Sequence, residues 1–331
     1  MKNDIKKRSF VASLLGSILI ASSTCCAQAA PTSASDLVRQ GAEAYKQKDY
    51  VTAFHDFNEA ANQGNAHAEY WLGGLYENGQ GVPKDNQIAA TWFEKSADQG
   101  DIGGENRLAI VYSEGRGIPR DDAKAAMWYR KAADQGDAAS QFDLGLMYLS
   151  GRGVPQDDHE TAMLWRKSAD QGFAEAEYLL APFYGKGRGG LPKDDQKAVK
   201  LIREAAEQGV EGAQHDLANL YLHGFVVPQD LQEAAKWYRK AADQGDIDAD
   251  YNLGVLYDEG KGVPQNDREA VIWYRKAIGK GFYKSEFRLC DMYLHGRVVP
   301  QDSVEENTLL HRCANQGYAP AQQALSAMAG K

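Results

Sequence analysis

The chain has 331 residues, with 37 Lys and Arg against 46 Asp and Glu, for a net charge of −9. Such an acidic balance argues against a nucleic-acid partner, because affinity for a phosphate backbone rests on Lys and Arg displacing counterions. Length alone would suggest two globular domains, a prior that the internal repetition described below overrides.

The amino terminus reads as an export signal spanning residues 1–29. Lys2, Lys6, Lys7 and Arg8 form a basic region, Phe10 to Ala21 an apolar run, and Ala27-Gln28-Ala29 supplies small residues for a cut before Ala30. The run is too short to cross a bilayer, which takes roughly 20 apolar residues. Without Lys2, Lys6, Lys7, Arg8 and Asp4 the remainder carries about −12. Cys25 and Cys26 leave a lipoprotein alternative open, although Ser22-Ser23-Thr24 lacks the apolar residue expected three places before Cys25. These features predict a periplasmic or secreted protein with no membrane span once the signal is removed.

From residue 66 the chain repeats. Tyr76, Tyr112, Tyr148, Tyr184, Tyr221, Tyr257 and Tyr293 stand 36 residues apart, with one step of 37. A fixed period in this range marks a solenoid, whose units bury their apolar faces only by stacking. Four residues before each Tyr is a Leu, from Leu72 to Leu289, and an aromatic precedes the Leu by two in five units, giving the apolar stripe of a first helix. Three residues after the Tyr comes a Gly in every unit, from Gly79 to Gly296, the residue that ends a helix with a left-handed turn. A Pro follows and keeps the linker out of helix. Asp157, Asp230, Asn266 and Asp302, each three residues before a Glu, resemble the capping box of a second helix. That helix carries the pattern of Lys124 to Ala133 and closes at Gly100, Gly136 and their equivalents. Small residues at Gly73, Gly145 and Gly254, opposite Ala-Ala pairs, predict close approach of the two helices.

The segments Leu-Gly-x-x-Tyr, Gly-x-Gly-Val-Pro and Lys-Ala-Ala-Asp-Gln-Gly, recurring over residues 66–318, closely resemble the Sel-1-like repeat family. The resemblance implies an all-α fold: seven helix-turn-helix units stacked as a right-handed α-solenoid, used in that family as an adaptor for protein complexes. Exported bacterial members are linked to envelope regulation, stress signalling or host contact. Residues 30–65 fit the related tetratricopeptide pattern through Gly41, Ala53, Phe57 and Ala60 and are expected to form a capping repeat. Residues 319–331 are expected to form a closing helix. Counting the cap as the first repeat, the third opens with Gly103-Gly104 and lacks its aromatic, the fifth has Pro182 inside a helix, and both are candidate hinges, with neutral drift as the alternative. In repeats six and eight Val226 and Val298 replace a linker Gly. A β-branched residue tolerates positive φ poorly, so these two linkers are expected to take a different path.

Catalytic signatures are missing from the sequence: no Gly-x-Ser-x-Gly elbow, no His-Glu-x-x-His helix, and no Ser three residues before a Lys after the signal. His223 and His295 share a repeat position but are separated by Glu259 in the intervening unit, which argues against a metal pair. No enzyme activity and no cofactor or metal are expected. The alternative, weak β-lactam binding or hydrolysis in the envelope, rests on family association alone. Cys290 and Cys313, the only cysteines after the signal, occupy small positions of the two helices of repeat eight. In an oxidising compartment they are expected to bridge, with α-carbons roughly 4.4–6.8 Å apart, two buried thiols being the alternative. Partner binding is expected on the concave face, at the first-helix positions one before, two after and six after each Leu. These include Trp71, Arg107, Asp143, Leu179, Asp216, Asn252 and Arg288, then Asn78, Glu114, Ser150, Lys186, His223, Glu259 and His295. Trp71, Arg107 and Arg288 are the expected anchors, since Trp and Arg dominate interface hot spots.

Overall fold

A computed structural model describes residues 32–297 and 303–329. The export signal, its cut before Ala30, the Asp302 cap and the Val298 linker lie outside the described residues. Among those described there are seventeen helices and no strand: α1 Ala34–Lys46, α2 Tyr50–Asn62, α3 Ala66–Asn78, α4 Asn86–Asp98, α5 Ile102–Glu114, α6 Asp122–Asp134, α7 Ala138–Ser150, α8 Asp158–Ala169, α9 Ala174–Lys186, α10 Asp195–Glu207, α11 Glu211–His223, α12 Leu231–Gln244, α13 Ile247–Glu259, α14 Asp267–Gly279, α15 Lys284–Leu294, α16 Ser303–Asn315 and α17 Ala319–Ala329. They stack in chain order as an α-solenoid. α3 also touches α5, and α15 touches α17, across the intervening second helix, whereas no two second helices pack comparably.

The recurring Leu residues from Leu72 to Leu289 are buried in every unit, and the aromatic of the second helix reaches beneath the small residue beside them. A methyl placed on Gly254 would lie 2.7 Å from the Tyr274 ring, so the helices meet at a distance only glycine permits there. The metronomic tyrosines have two jobs. Their carbonyls accept from the amide that begins the next helix, as in Asp121 to Tyr112, Asp157 to Tyr148 and Asn266 to Tyr257, all at 2.9–3.0 Å. Their hydroxyls accept from an Arg of the preceding second helix at Tyr148, Tyr221, Tyr257 and Tyr293. This corrects the capping-box expectation. Asp157, Asp230 and Asn266 do cap their helices through the side chain, but the cap amide, where placed as above, goes to a tyrosine carbonyl and not to the following Glu.

A buried polar ladder holds consecutive helices together. One position in the first turn of each repeat's first helix (Glu69, Glu105, Gln141, Glu177, Gln214, Asp250, Glu286) is buried, and the residue 30 or 31 places on, at the end of the second helix, donates to it at 2.6–2.9 Å. The donor is Gln except at Lys280, which with Lys276 neutralises the fully buried Asp250. Buried polar groups must be bonded or they cost several kcal/mol. Each rung is therefore satisfied only when the two helices of its unit pack in register.

Two local expectations change. The linker of repeat six keeps the same turn as the others: Phe225 N–H donates to Leu220 O as Arg116 N–H does to Val111 O, and Val226 sits at φ +64° where Gly117 has +77°. A methyl at Gly117 would collide with the Asn86 carbonyl, so Val226 takes that turn only by standing clear of α10, and it is 43% exposed. The hydrogen bonds fix the path and the backbone carries the strain, on the order of 1–3 kcal/mol. The Gly103-Gly104 opening of α5 is a packing requirement, because a side chain at Gly104 would collide with Ser96 of α4. Pro182 is accommodated within one continuous helix, α9, on an exposed turn.

Candidate functional site

Four residues of the first-helix stripe, expected to line the inner face, come together. Arg107 and Glu114 of α5 with Asp143 and Ser150 of α7 line a cavity of about 430 Å³, floored by Ile110, Leu146 and Met147 and walled by Arg116 and Arg152 of the linkers. Tyr129 reaches it from α6 between the two first helices. Burial pushes the Asp143 carboxyl up to about 6, partly opposed by a hydrogen bond from Tyr129. Arg116 is held by Glu77 at 2.8 Å and by Glu114, and Arg152 lies 3.3 Å from Asp122. Arg107 approaches Glu77 only to 4.0 Å and is the least engaged guanidinium of the three. The surface thus offers hydrogen-bonding and charged groups of both signs over an apolar floor, a combination suited to a peptide backbone and its side chains.

Other stripe residues are distributed along the same face. Leu179 and Asp216 line a smaller apolar cavity of about 250 Å³ with Pro182 and Gly185, and Tyr178 donates to Asp216 at 3.1 Å. Arg288 pairs with Glu259 at 3.3 Å, and Glu259 also with Lys261 at 2.8 Å, which holds the Glu259 carboxyl below its ordinary range. Asn78 folds back on Gly74 O, and His295 on Asp291 O. Lys186 and His223 are exposed, His223 with its ring 5.4 Å from Phe225, and Asn252 is half-buried. Trp71 is not a free anchor. Its ring stacks on Phe57 at 5.3 Å, touches Tyr45 at 5.1 Å, and its indole N–H donates to His67 Nε2 at 3.2 Å, so it helps join the first two repeats.

Among the described residues no group of three His, Cys, Asp or Glu side chains is placed to hold a metal. No helix there is long and apolar enough to cross a membrane. Cys290 and Cys313 form the expected disulfide, with α-carbons 7.0 Å apart, slightly beyond the expected span. Sequence reasoning did not find the linker arginines Arg116 and Arg152 or the second-helix Tyr129 as parts of the cavity. Recurrence of a cation two places after the stripe's last position, at Arg116, Arg152, Arg188, Lys261 and Arg297, was the available signal.

The Sel1 repeat model matches residues 66–101, 103–137, 138–173, 174–210, 212–246, 247–282 and 284–305. A solved structure of a protective antigen present in uropathogenic Escherichia coli strains, displaying an SLR fold, is 32% identical with a TM-score of 0.73, covering 87% of this chain and 62% of its own. This chain thus spans less than two thirds of that antigen's length. A Sel1 repeat protein from Oxalobacter formigenes is 32% identical with a TM-score of 0.64, covering 73% of this chain and 96% of its own. No protein of curated function matches.

Proposed function

Because the chain belongs to the Sel1 repeat family, we propose that it is a non-catalytic, exported scaffold that binds an extended protein or peptide segment along the inner face of its solenoid. The observation that carries this is the cavity between α5 and α7. There, positions chosen by no packing rule (Arg107, Glu114, Asp143, Ser150) converge on an apolar floor. The bridged Cys290–Cys313 pair and the basic, then apolar, amino terminus support a periplasmic or secreted address. The same surface fits a role in envelope regulation, stress response or host contact.

Site-specific crosslinking tests the reading. A photoreactive residue at Ser150, exposed on the inner face, is expected to yield adducts with envelope protein; one at Met163, exposed on the second helix of the same repeat, is not. Arg107→Ala should abolish the Ser150 adduct without changing helical content. Equal yields from Ser150 and Met163 would overturn the inner-face assignment. Nitrocefin turnover by the purified protein would overturn the non-catalytic half of the reading.

A further inference from the structure

A second cavity of different chemistry, about 420 Å³, is lined by Tyr251, Lys284, Phe287, Arg288, Asp291 and Tyr318. Four of these, Lys284, Phe287, Arg288 and Asp291, are spaced three and four apart on α15 and so form one helix face. Tyr251 comes from α13, and Tyr318 stands immediately before the closing helix α17. Phe287 and Tyr318 pack ring on ring with centroids 5.1 Å apart.

The charges are unevenly compensated. Arg288 is shared with Glu259 at 3.3 Å and Asp258 at 3.8 Å. Asp291 accepts from the Tyr318 hydroxyl at 3.2 Å and lies 3.5 Å from His295 Nδ1, so the acid in the cavity is engaged. Lys284 is exposed and, among the described residues, no carboxylate lies within ion-pair distance of it; its ammonium rests only 6.0 Å above the Phe282 ring. Three rings beside an uncompensated ammonium, with a guanidinium one helical turn away, fit a planar ring that carries an anionic group close to it. A long side chain would put the charge beyond reach of Lys284 and Arg288 when its ring is among the aromatic walls. The inner-face reading selects the source: in a bound polypeptide only the C-terminal residue carries a free carboxylate this close to its own ring.

We propose that this cavity takes the C-terminal residue of the bound polypeptide when that residue is aromatic. Its ring packs against Tyr251, Phe287 and Tyr318, and its α-carboxylate meets Lys284 and Arg288. The inference rests on the inner-face reading and adds to it the chemistry and direction of the occupant.

Fluorescence anisotropy of the full chain with a labelled Gly-Ser hexapeptide ending in Phe tests it, beside the same peptide as its C-terminal amide and with Ala in place of Phe. The free acid ending in Phe is expected to bind at least tenfold tighter than either. Lys284→Ala should remove that advantage, and Lys284→Arg should restore it. Equal affinity of acid and amide, indifference to Lys284→Ala, or no binding of any peptide at millimolar concentration would each overturn the proposal. So would N-acetylphenylalanine binding as tightly as the hexapeptide, which would make the cavity a site for a free aromatic acid. Any of these results can coexist with an Arg107-dependent crosslink at Ser150, so this proposal can fail while the inner-face reading stands.

Discussion

Between repeats three and four, Asn106 donates to Asp137 at 3.4 Å and to Ser140 at 2.8 Å. One unit further on, the same two positions are Phe142 and Phe173, whose rings pack 5.2 Å apart. Of the other junctions three are matched in the same way, while Tyr70 stands opposite the capping Asp101 and Tyr178 opposite Val210. His215 meets Asp246 at 2.9 Å, while Tyr251 meets Phe282 and Phe287 meets Tyr318, both at 5.1 Å. A polar junction also caps the next helix, as Asp137 does by accepting from Ser140 N–H at 2.7 Å. An aromatic one forgoes the cap, and α9 begins at Phe173 with no side-chain bond. A cap contributes about 0.5–2 kcal/mol, and an aromatic pair about 0.5–1.5 kcal/mol beyond its burial. The two solutions are therefore near equals, and in five of the seven pairs both members choose the same one. Repeat three, which lacks the expected aromatic, is matched in this way and carries no defect.

The largest way to test this contrast is at the end where an aromatic junction is backed by a covalent bridge. Reducing Cys290–Cys313, or Cys313→Ser, should destabilise the last repeat by about 3 kcal/mol. Hydrogen exchange should then show α15 and α16 opening well before α5 and α6, which have no such bridge. Uniform exchange along the chain would show that the bridge adds nothing to the junction.

Mismatching a pair comes next. Asn106→Phe leaves Asp137 facing a ring and should cost about 2 kcal/mol, the range for a polar group that loses its partner. Adding Asp137→Phe should recover more than half, a coupling of the size found for contacting residues. Chemical denaturation of the two single variants and the double reads this directly, and simple additivity would refute pairing.

A smaller effect distinguishes the cavity acid from the ladder acids. Asp143 binds its proton more tightly folded than unfolded, so its ionised form opposes folding above about pH 6, and stability rises as pH falls from 6 toward 3.8. Asp143→Asn should stabilise the protein at pH 7 by on the order of 1 kcal/mol and have no effect at pH 3.5. Burial also pushes the Glu69, Glu105 and Glu177 carboxyls up, but these accept from Gln donors. Glu105→Gln forces a rung of two amides, which Gln141 and Gln171 already make, and should be nearly neutral at pH 7. Thermal melts at the two pH values measure both. The smallest change is Val226→Gly, which relieves the left-handed valine but adds chain entropy to the unfolded state, for a net gain below about 1 kcal/mol.

The periodicity made much of the fold legible. Tyr, Leu and Gly at constant spacing identify two helices and a turn in each unit, because packing on an identical neighbour imposes identical residues, and the helix starts agree at Ala66, Ile102, Ala138, Ala174, Glu211 and Ile247. The stripe was read for the complementary reason, since positions that packing does not dictate vary from repeat to repeat. Trp71 misled because an aromatic at a variable position looks like a free anchor, and only its contacts with Phe57 and Tyr45 reveal a joint between repeats. Val226 misled because a propensity for one residue was weighed without the hydrogen bonds that fix its loop.

The repeat count, the helical architecture, the small-residue contacts and the Cys290–Cys313 pairing were determined by the sequence alone, because each depends on spacing along one helix or on elimination. Tertiary structure alone decided which residues 30 or 31 places apart complete one another, and that Tyr129, Arg116 and Arg152 enter a cavity first read from α5 and α7. Those relations depend on how the two helices of a unit, and the linkers of neighbouring units, meet in space, which spacing along one helix does not encode.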